Sequence, residues 1–246
     1  MENTHNCQKG LTGNQLKILA LISMTCDHIG KQLLPNVLFL QIIGRLAFPI
    51  FAFMIAEGCH YTKNRKKYLG TMALLAFICQ IVYFAAMGSL YQCVLVTFSL
   101  SISLIYILDT FVFRKPEQFS LPWAFCTFLG LTAALLFLCF ICIGLPELLS
   151  ATDFAIDYGI WGVLLPVVIY FTAHKTNLPA GFTLLATAMD LIFLSFSLGG
   201  IQWFSLITIG ILAFYNKKRG SLNLKNLFYI YYPLHLVVIY GLSLFS

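Results

Sequence analysis

Residues 16–30 read LKILALISMTCDHIG, and residues 37–58 read VLFLQIIGRLAFPIFAFMIAEG. Each belongs to a run about as long as a bilayer is thick, so each reads as a membrane-crossing helix. Yet the first holds Asp27 and His28 side by side, and the second holds Arg45. A charge is most expensive inside a bilayer, and an ionisable group placed there is by default a functional candidate. The same residues therefore raise the questions of fold and of function together.

The composition of the chain agrees with this reading. Of its 246 residues 60% are hydrophobic and only 10% are charged, against roughly 25% in an ordinary soluble domain. Mean hydropathy is +0.87. Such values define an all-α, polytopic membrane protein, and no polar stretch is long enough to form a separate soluble domain. One integral membrane domain, 1–246, is expected. The first apolar segment carries Asp27 and His28 and lacks a small-residue cleavage pattern, so it reads as a retained helix and not a signal peptide.

Nine segments qualify as spans, near 15–34, 37–57, 68–87, 91–110, 122–145, 158–174, 178–198, 201–215 and 226–244. Turn-forming chemistry separates them: LLPN at 33–36, MGSLYQ at 87–92, FRKPEQFSLP at 113–122 and SLGG at 197–200. The segments 158–174 and 201–215 are short. The apolar runs are continuous and do not alternate, which argues against a β-barrel.

The basic residues fall in alternate loops. One set holds Lys9, Lys17, Lys63, Arg65, Lys66, Lys67, Arg114, Lys115, Lys175, Lys217, Lys218, Arg219 and Lys225. The other set carries little beyond Lys31, together with Glu147, Asp153 and Asp157. Basic loops stay in the cytoplasm, so the expected N-terminus is inside and the C-terminus outside, in a multi-pass protein of the cell (inner) membrane. The net charge of +6 then sits mainly on one face, where it sets topology and meets anionic lipid. No nucleic-acid-binding motif accompanies it. The eight cysteines lie mostly within spans and show no pair of pairs at metal-site spacing, so neither a metal nor a structural disulfide is expected.

The ionisable groups within spans are Asp27, His28, Arg45, Asp190 and His235, with Glu57 and Asp109 at cytoplasmic span ends where water can reach them. At about 1.5 Å per residue, His28 lies roughly 20 Å from the cytoplasmic end of its helix, Arg45 and Asp190 roughly 18 Å, and His235 roughly 14 Å. Asp27 and Arg45 carry opposite charge on adjacent antiparallel helices, where pairing would make both affordable. A structural role competes for each: a buried ion pair can fix helix register, and histidines can be hydrogen-bonded glue between helices. Asp190, alone in its span, reads as structural.

Four blocks in order, LTGNQLKILALISMTCDHIG, IGRLAFPIFAFMIAEGCHYTKNRKKYL, DYGIWGVLLP and KNLFYIYYPLHLVVIYGL, resemble the TraX family of membrane acetyltransferases, whose founding member acetylates the N-terminus of F pilin. The resemblance runs from residue 11 to 242. It implies acetyl transfer from cytosolic acetyl-CoA to an amine or hydroxyl acceptor, such as a peptide N-terminus or a glycan, reached from the membrane or the outer face. It also implies roles for His28, Asp27, Arg45 and His235, expected to be catalytic, and for Glu57; donor binding is expected of Glu57 with Tyr61, Arg65, Lys66 and Lys67 on the same cytoplasmic face.

The residues suit this chemistry. Transfer from a thioester needs a base for the acceptor proton and a donor for the developing oxyanion. His28 can be the base, oriented by Asp27 or a neighbour, while Arg45 or a protonated His235 can meet the oxyanion. The basic stretches at 62–68 and 217–225 can hold the donor's phosphates. An acetyl-imidazole relay and direct transfer both fit. The rival reading is a proton-coupled transporter or channel with Asp27, His28, Arg45 and His235 as a relay. The absence of Gly/Pro-interrupted repeat halves counts against it. A non-catalytic scaffold would not need these groups.

Overall fold

The computed structural model of the chain describes residues 10–111, 120–221 and 225–243. Lys9, Cys7, Arg114 and Lys115 lie outside the described residues. The described chain is helical: α1 (Gly13–Gln32), α2 (Leu38–Gly44), α3 (Ala47–Tyr61), α4 (Arg65–Met87), α5 (Val94–Phe111), α6 (Leu121–Cys139), α7 (Leu145–Leu148), α8 (Gly159–His174), α9 (Ala180–Leu198), α10 (Ile207–Ala213) and α11 (Lys225–Ser243). A π-helical turn, Phe140–Gly144, joins α6 to α7, and a 3₁₀ segment, Gly200–Leu206, leads into α10. The protein is a polytopic helical membrane protein.

Local chemistry sets the helix ends. Thr12 and Gln15 form a reciprocal capping box at the start of α1. Asn64 caps α4 by accepting from the Lys67 amide, and Gly88 ends that helix in the left-handed region, at φ 62°. The stretch expected as one helix over 37–57 instead tightens into a turn at Arg45–Leu46, between α2 and α3. Pro49 explains this, because it has no N–H to give the Arg45 carbonyl.

Five described stretches are long and apolar enough to cross a membrane: Leu38–Tyr61, Arg65–Met87, Val94–Phe111, Pro122–Leu148 and Ala180–Leu198. Gly159–His174, Gly200–Ala213 and Leu227–Ser243 are apolar but shorter. The 20 residues of α1 are diluted by Lys17, Asp27 and Lys31.

Two sets of contacts mark the two ends of the bundle. At one end the start of α1 meets the exit of α10, where the Gly13 and Asn14 amides donate to the Lys218 and Arg219 carbonyls. Arg65 and Lys175 both reach Asp109 there, which joins the start of α4 to the ends of α5 and α8. At the other end Gln92 pairs with Ile156, the Leu90 amide donates to Asp153, and Arg45 reaches Gln202. The first end gathers the basic loops. α3 lies at the centre, packed on α1, α5 and α8, whereas α6 lies on the periphery with few buried residues.

Candidate active site

The site forms where α1 meets α2 and α3. Gly44 allows the approach: a Cβ added there would sit 2.4 Å from the Asp27 Cβ and 2.5 Å from its Oδ1. This closeness lets Arg45, one residue on, put a guanidinium nitrogen on Asp27 Oδ1. Lys31, one turn along α1, places its ammonium 2.6 Å from Asp27 Oδ2. Asp27 and Arg45 side chains are each only 11% exposed, so they form a buried ion pair, and Lys31, 45% exposed, joins it from the surface side. Arg45 also donates to Gln202 Oε1 at 3.3 Å and to the Gln41 carbonyl at 3.4 Å.

Asp27 is therefore occupied by cations. The neighbour of His28 is His235, whose ring meets it edge-on with centroids 5.1 Å apart. His235 is buried, stacks on Tyr231, and uses its Nδ1 against the Tyr231 carbonyl at 3.1 Å. Its Nε2 has no hydrogen-bond partner among the described residues. Tyr231 is fixed in turn by its hydroxyl, 2.6 Å from Thr25 Oγ1, which itself donates to the Leu21 carbonyl. One turn of α1 thus carries both His28 and the anchor for the helix that brings His235.

His28 lines a cavity of about 390 Å³ together with Asp27, Lys31, Tyr83, Asp157 and Tyr240. Ser89, Tyr91 and Asp153 border it, so it lies toward the end away from the basic loops. A second cavity, about 310 Å³, lies beside it. Lys31, Tyr91, Asp157 and Tyr158 line both, and Arg45, Gly199 and Gln202 complete the second.

The shared wall comes from the DYG stretch. Tyr158 adopts the left-handed region with φ 61°, which is unusual for a bulky residue, and Gly159 follows with φ 56°. Tyr158 stacks on Phe48 with centroids 3.8 Å apart. Gly162 makes room for it, since a Cβ there would lie 2.4 Å from the Tyr158 Cβ. Strain of this kind persists only where surrounding packing imposes it, and it gathers at functional sites. Asp157 accepts from the Tyr91 hydroxyl at 2.7 Å, and burial pushes its carboxyl up from the ordinary aspartate range. Asp153 differs: hydrogen bonds from Ser89 and the Leu90 amide hold its carboxyl below that range.

The residues expected to bind the donor lie at the opposite end. Glu57 Oε1 is 2.8 Å from His174 Nε2, and Glu57 Oε2 accepts from Tyr215 at 3.0 Å. His60 stacks on His174 with centroids 3.9 Å apart. Arg65 is tied to Asp109 and so is not a free cation, while Tyr61, Lys66 and Lys67 face outward. Asp109 also holds the Lys175 ammonium above its ordinary value. Asp190 is buried on α9, and its Oδ2 has no partner among the described residues.

The structure thus brings Asp27, His28, Arg45 and His235 together and sets them apart from Glu57, Tyr61, Arg65, Lys66 and Lys67. Sequence reasoning assigned no role to Lys31, Asp157, Tyr158 or Gln202. The DYG stretch was the available signal, because it placed an aspartate and a tyrosine at the mouth of a span.

The class this defines is a polytopic helical membrane protein, in which His28 borders a cavity and meets the ring of His235. More specifically, residues 12–243 match the family model described as TraX protein, so the chain belongs to the TraX family. It is 24% identical to a protein of Dichelobacter nodosus named probable fimbrial assembly protein FimC, serogroup H1, over 94% of this chain and 95% of that one. A stretch of 38 residues, 15% of each chain, is 55% identical to a Rickettsia prowazekii (strain Madrid E) protein named uncharacterized protein RP591. No solved structure matches the chain.

Proposed function

We propose that this protein is a membrane-embedded acetyltransferase that takes acetyl from cytosolic acetyl-CoA and gives it to an amine or hydroxyl acceptor reached from the membrane or outer face. The supporting observation is His28: a half-buried imidazole facing a second histidine, on a cavity large enough for a small reacting group, in a chain of the TraX family. The Dichelobacter relative is named for fimbrial assembly, which supports a peptide among the acceptor classes.

In this reading the nine segments cross the inner membrane with the basic end in the cytoplasm. Lys66 and Lys67, exposed and at that end, meet the donor's phosphates. His28 lies 15 residues beyond the first residue of α1, about 22 Å along the axis, so the reacting thioester must be presented deep in the bundle. Acetyl-CoA supplies an activated acyl group there. His28 accepts the acceptor's proton as the new bond forms at the carbonyl carbon. Lys31, which has N–H donors beyond the one it gives Asp27, can donate to the developing oxyanion, and His235 Nε2 can do so only when the ring is protonated, because its Nδ1 already faces the Tyr231 carbonyl. Asp27 holds the two cations in place.

Purified protein in detergent should consume acetyl-CoA faster when a small primary amine or alcohol is added, with the acetylated probe seen by mass spectrometry. Failure of both acetyl-CoA binding and turnover would overturn the proposal. It would favour the proton-coupled transporter, for which the unpartnered Asp190 Oδ2, buried mid-helix, is the supporting observation.

A further inference from the structure

Three carboxylates line the His28 cavity, and two of them are accounted for. Asp27 has Arg45 and Lys31. Asp153 sits at the rim and is used as a cap for the Leu90 amide at 2.9 Å. Asp157 has a single side-chain partner, the neutral Tyr91 hydroxyl, and makes no salt bridge among the described residues. Its backbone is nevertheless fixed on both sides. Its amide donates to the Gln92 carbonyl at 3.1 Å, its carbonyl accepts from Thr97 at 2.7 Å, and the left-handed Tyr158–Gly159 pair follows it. Lys31 and Arg45 border the second cavity with it and act on it through space, but a half-buried carboxylate without a direct ion pair costs stability, and burial outweighs them and pushes its carboxyl up. A fold that only needed to close this turn could use asparagine, which accepts the same hydrogen bond.

We infer that Asp157 is a specificity-determining residue of the cavity: its carboxylate takes the ammonium of an acceptor that arrives as a cation, beside His28. The inference rests on the acetyltransferase reading and narrows it, since an uncharged alcohol would leave the carboxylate as it is in the free protein. The balance of the step is simple. An acceptor R–NH₃⁺ docks on Asp157 and gives up one proton through His28. The freed nitrogen forms the C–N bond as the C–S bond breaks, and its second proton ends on the departing thiol. The products are the acetamide, the free thiol of coenzyme A and one released proton.

The test uses two probes of the same shape: tetra-alanine amide, with a free N-terminal ammonium, and its lactyl counterpart, with a hydroxyl in that place. Thermal stabilisation of the purified full-length protein by each is measured first without acetyl-CoA. The wild type should be stabilised by the ammonium probe and not by the hydroxyl probe. Equal stabilisation by both, or by neither at millimolar concentration, overturns the inference whatever Asp157 variants do. Asp157→Asn should then reduce the preference for the ammonium probe by about 10- to 100-fold, the scale of losing a hydrogen bond to a charged group. The same variant should melt near or above the wild-type temperature, because asparagine keeps the acceptor for Tyr91 and removes a half-buried charge that has no direct ion pair. A stable Asp157→Asn protein that keeps its ammonium preference overturns the inference. Ammonium-selective binding without acetyl transfer supports Asp157 as the recognition residue and sinks the transferase reading, so the two failures are distinguishable.

Discussion

The two ends of the bundle handle buried charge in opposite ways. At the basic end the carboxylates are partnered: Asp109 is shared by Arg65 and Lys175, and Glu57 lies against His174 and accepts from Tyr215. At the cavity end one closed cluster, Asp27 with Arg45 and Lys31, stands next to groups left open: His28, the Nε2 of His235 and the carboxylate of Asp157. Closed networks fix helix register. Open polar groups beside a cavity are kept at a cost to stability, which supports the proposal that the chemistry lies at that end. In the proposed mechanism Asp27 and Arg45 shape the cavity wall, and His28 beside them takes the proton.

If the Asp27 cluster holds the cavity wall, breaking it should have the largest effect on stability. Asp27→Asn leaves Arg45 buried without its carboxylate and should cost about 3–5 kcal/mol, read by chemical or thermal denaturation in detergent. Gly44→Ala tests the same junction without touching a charge. The added methyl meets Asp27, which should cost about 1–3 kcal/mol, and the larger residue should also lower transfer by displacing the turn that carries His28. At the basic end Asp109→Ala should cost less, about 1–2 kcal/mol, because Arg65 and Lys175 are already partly exposed and can turn to water. A greater loss from Asp109→Ala than from Asp27→Asn would invert the comparison. The smallest effect on stability, within about 0.5 kcal/mol, should come from Lys66→Gln with Lys67→Gln. Those changes should raise KM for acetyl-CoA more than they lower kcat, because the phosphates are remote from the reacting carbon. Unchanged KM would leave these lysines with topology alone.

Much of this was legible in the chain. Continuous apolar runs gave a helical membrane protein, and opposite charge on adjacent spans pointed to the meeting of Asp27 and Arg45. A shared depth brought His28 near His235 although the two lie on the first and last helices. What was hidden depended on packing. Lys31 looked like an isolated loop cation, and only the turn of α1 shows it bound to Asp27. Arg65 looked like a phosphate ligand on a basic loop, and its pairing with Asp109 of α5 was not legible. Tyr158 breaks a local rule, since a bulky side chain in the left-handed region is disfavoured by its own backbone and is imposed by tertiary contacts. Pro49 was visible, but its consequence, a turn that aims Arg45 at α1, required the neighbouring helix.

The most direct test is His28→Ala, assayed for transfer and for thermal stabilisation by acetyl-CoA in the same preparation. His28 should be replaceable without loss of fold, since no hydrogen bond or salt bridge is seen to its side chain among the described residues and its chief contact is the His235 ring. Transfer should fall by about 10²–10⁴, the usual worth of a positioned proton acceptor, and His28→Gln should not restore it, because an amide cannot take the proton. Stabilisation by acetyl-CoA should persist, because the proposed phosphate contacts lie at the other end of the bundle. Transfer at near wild-type rate, or a loss of donor-induced stabilisation in step with activity, would contradict the account.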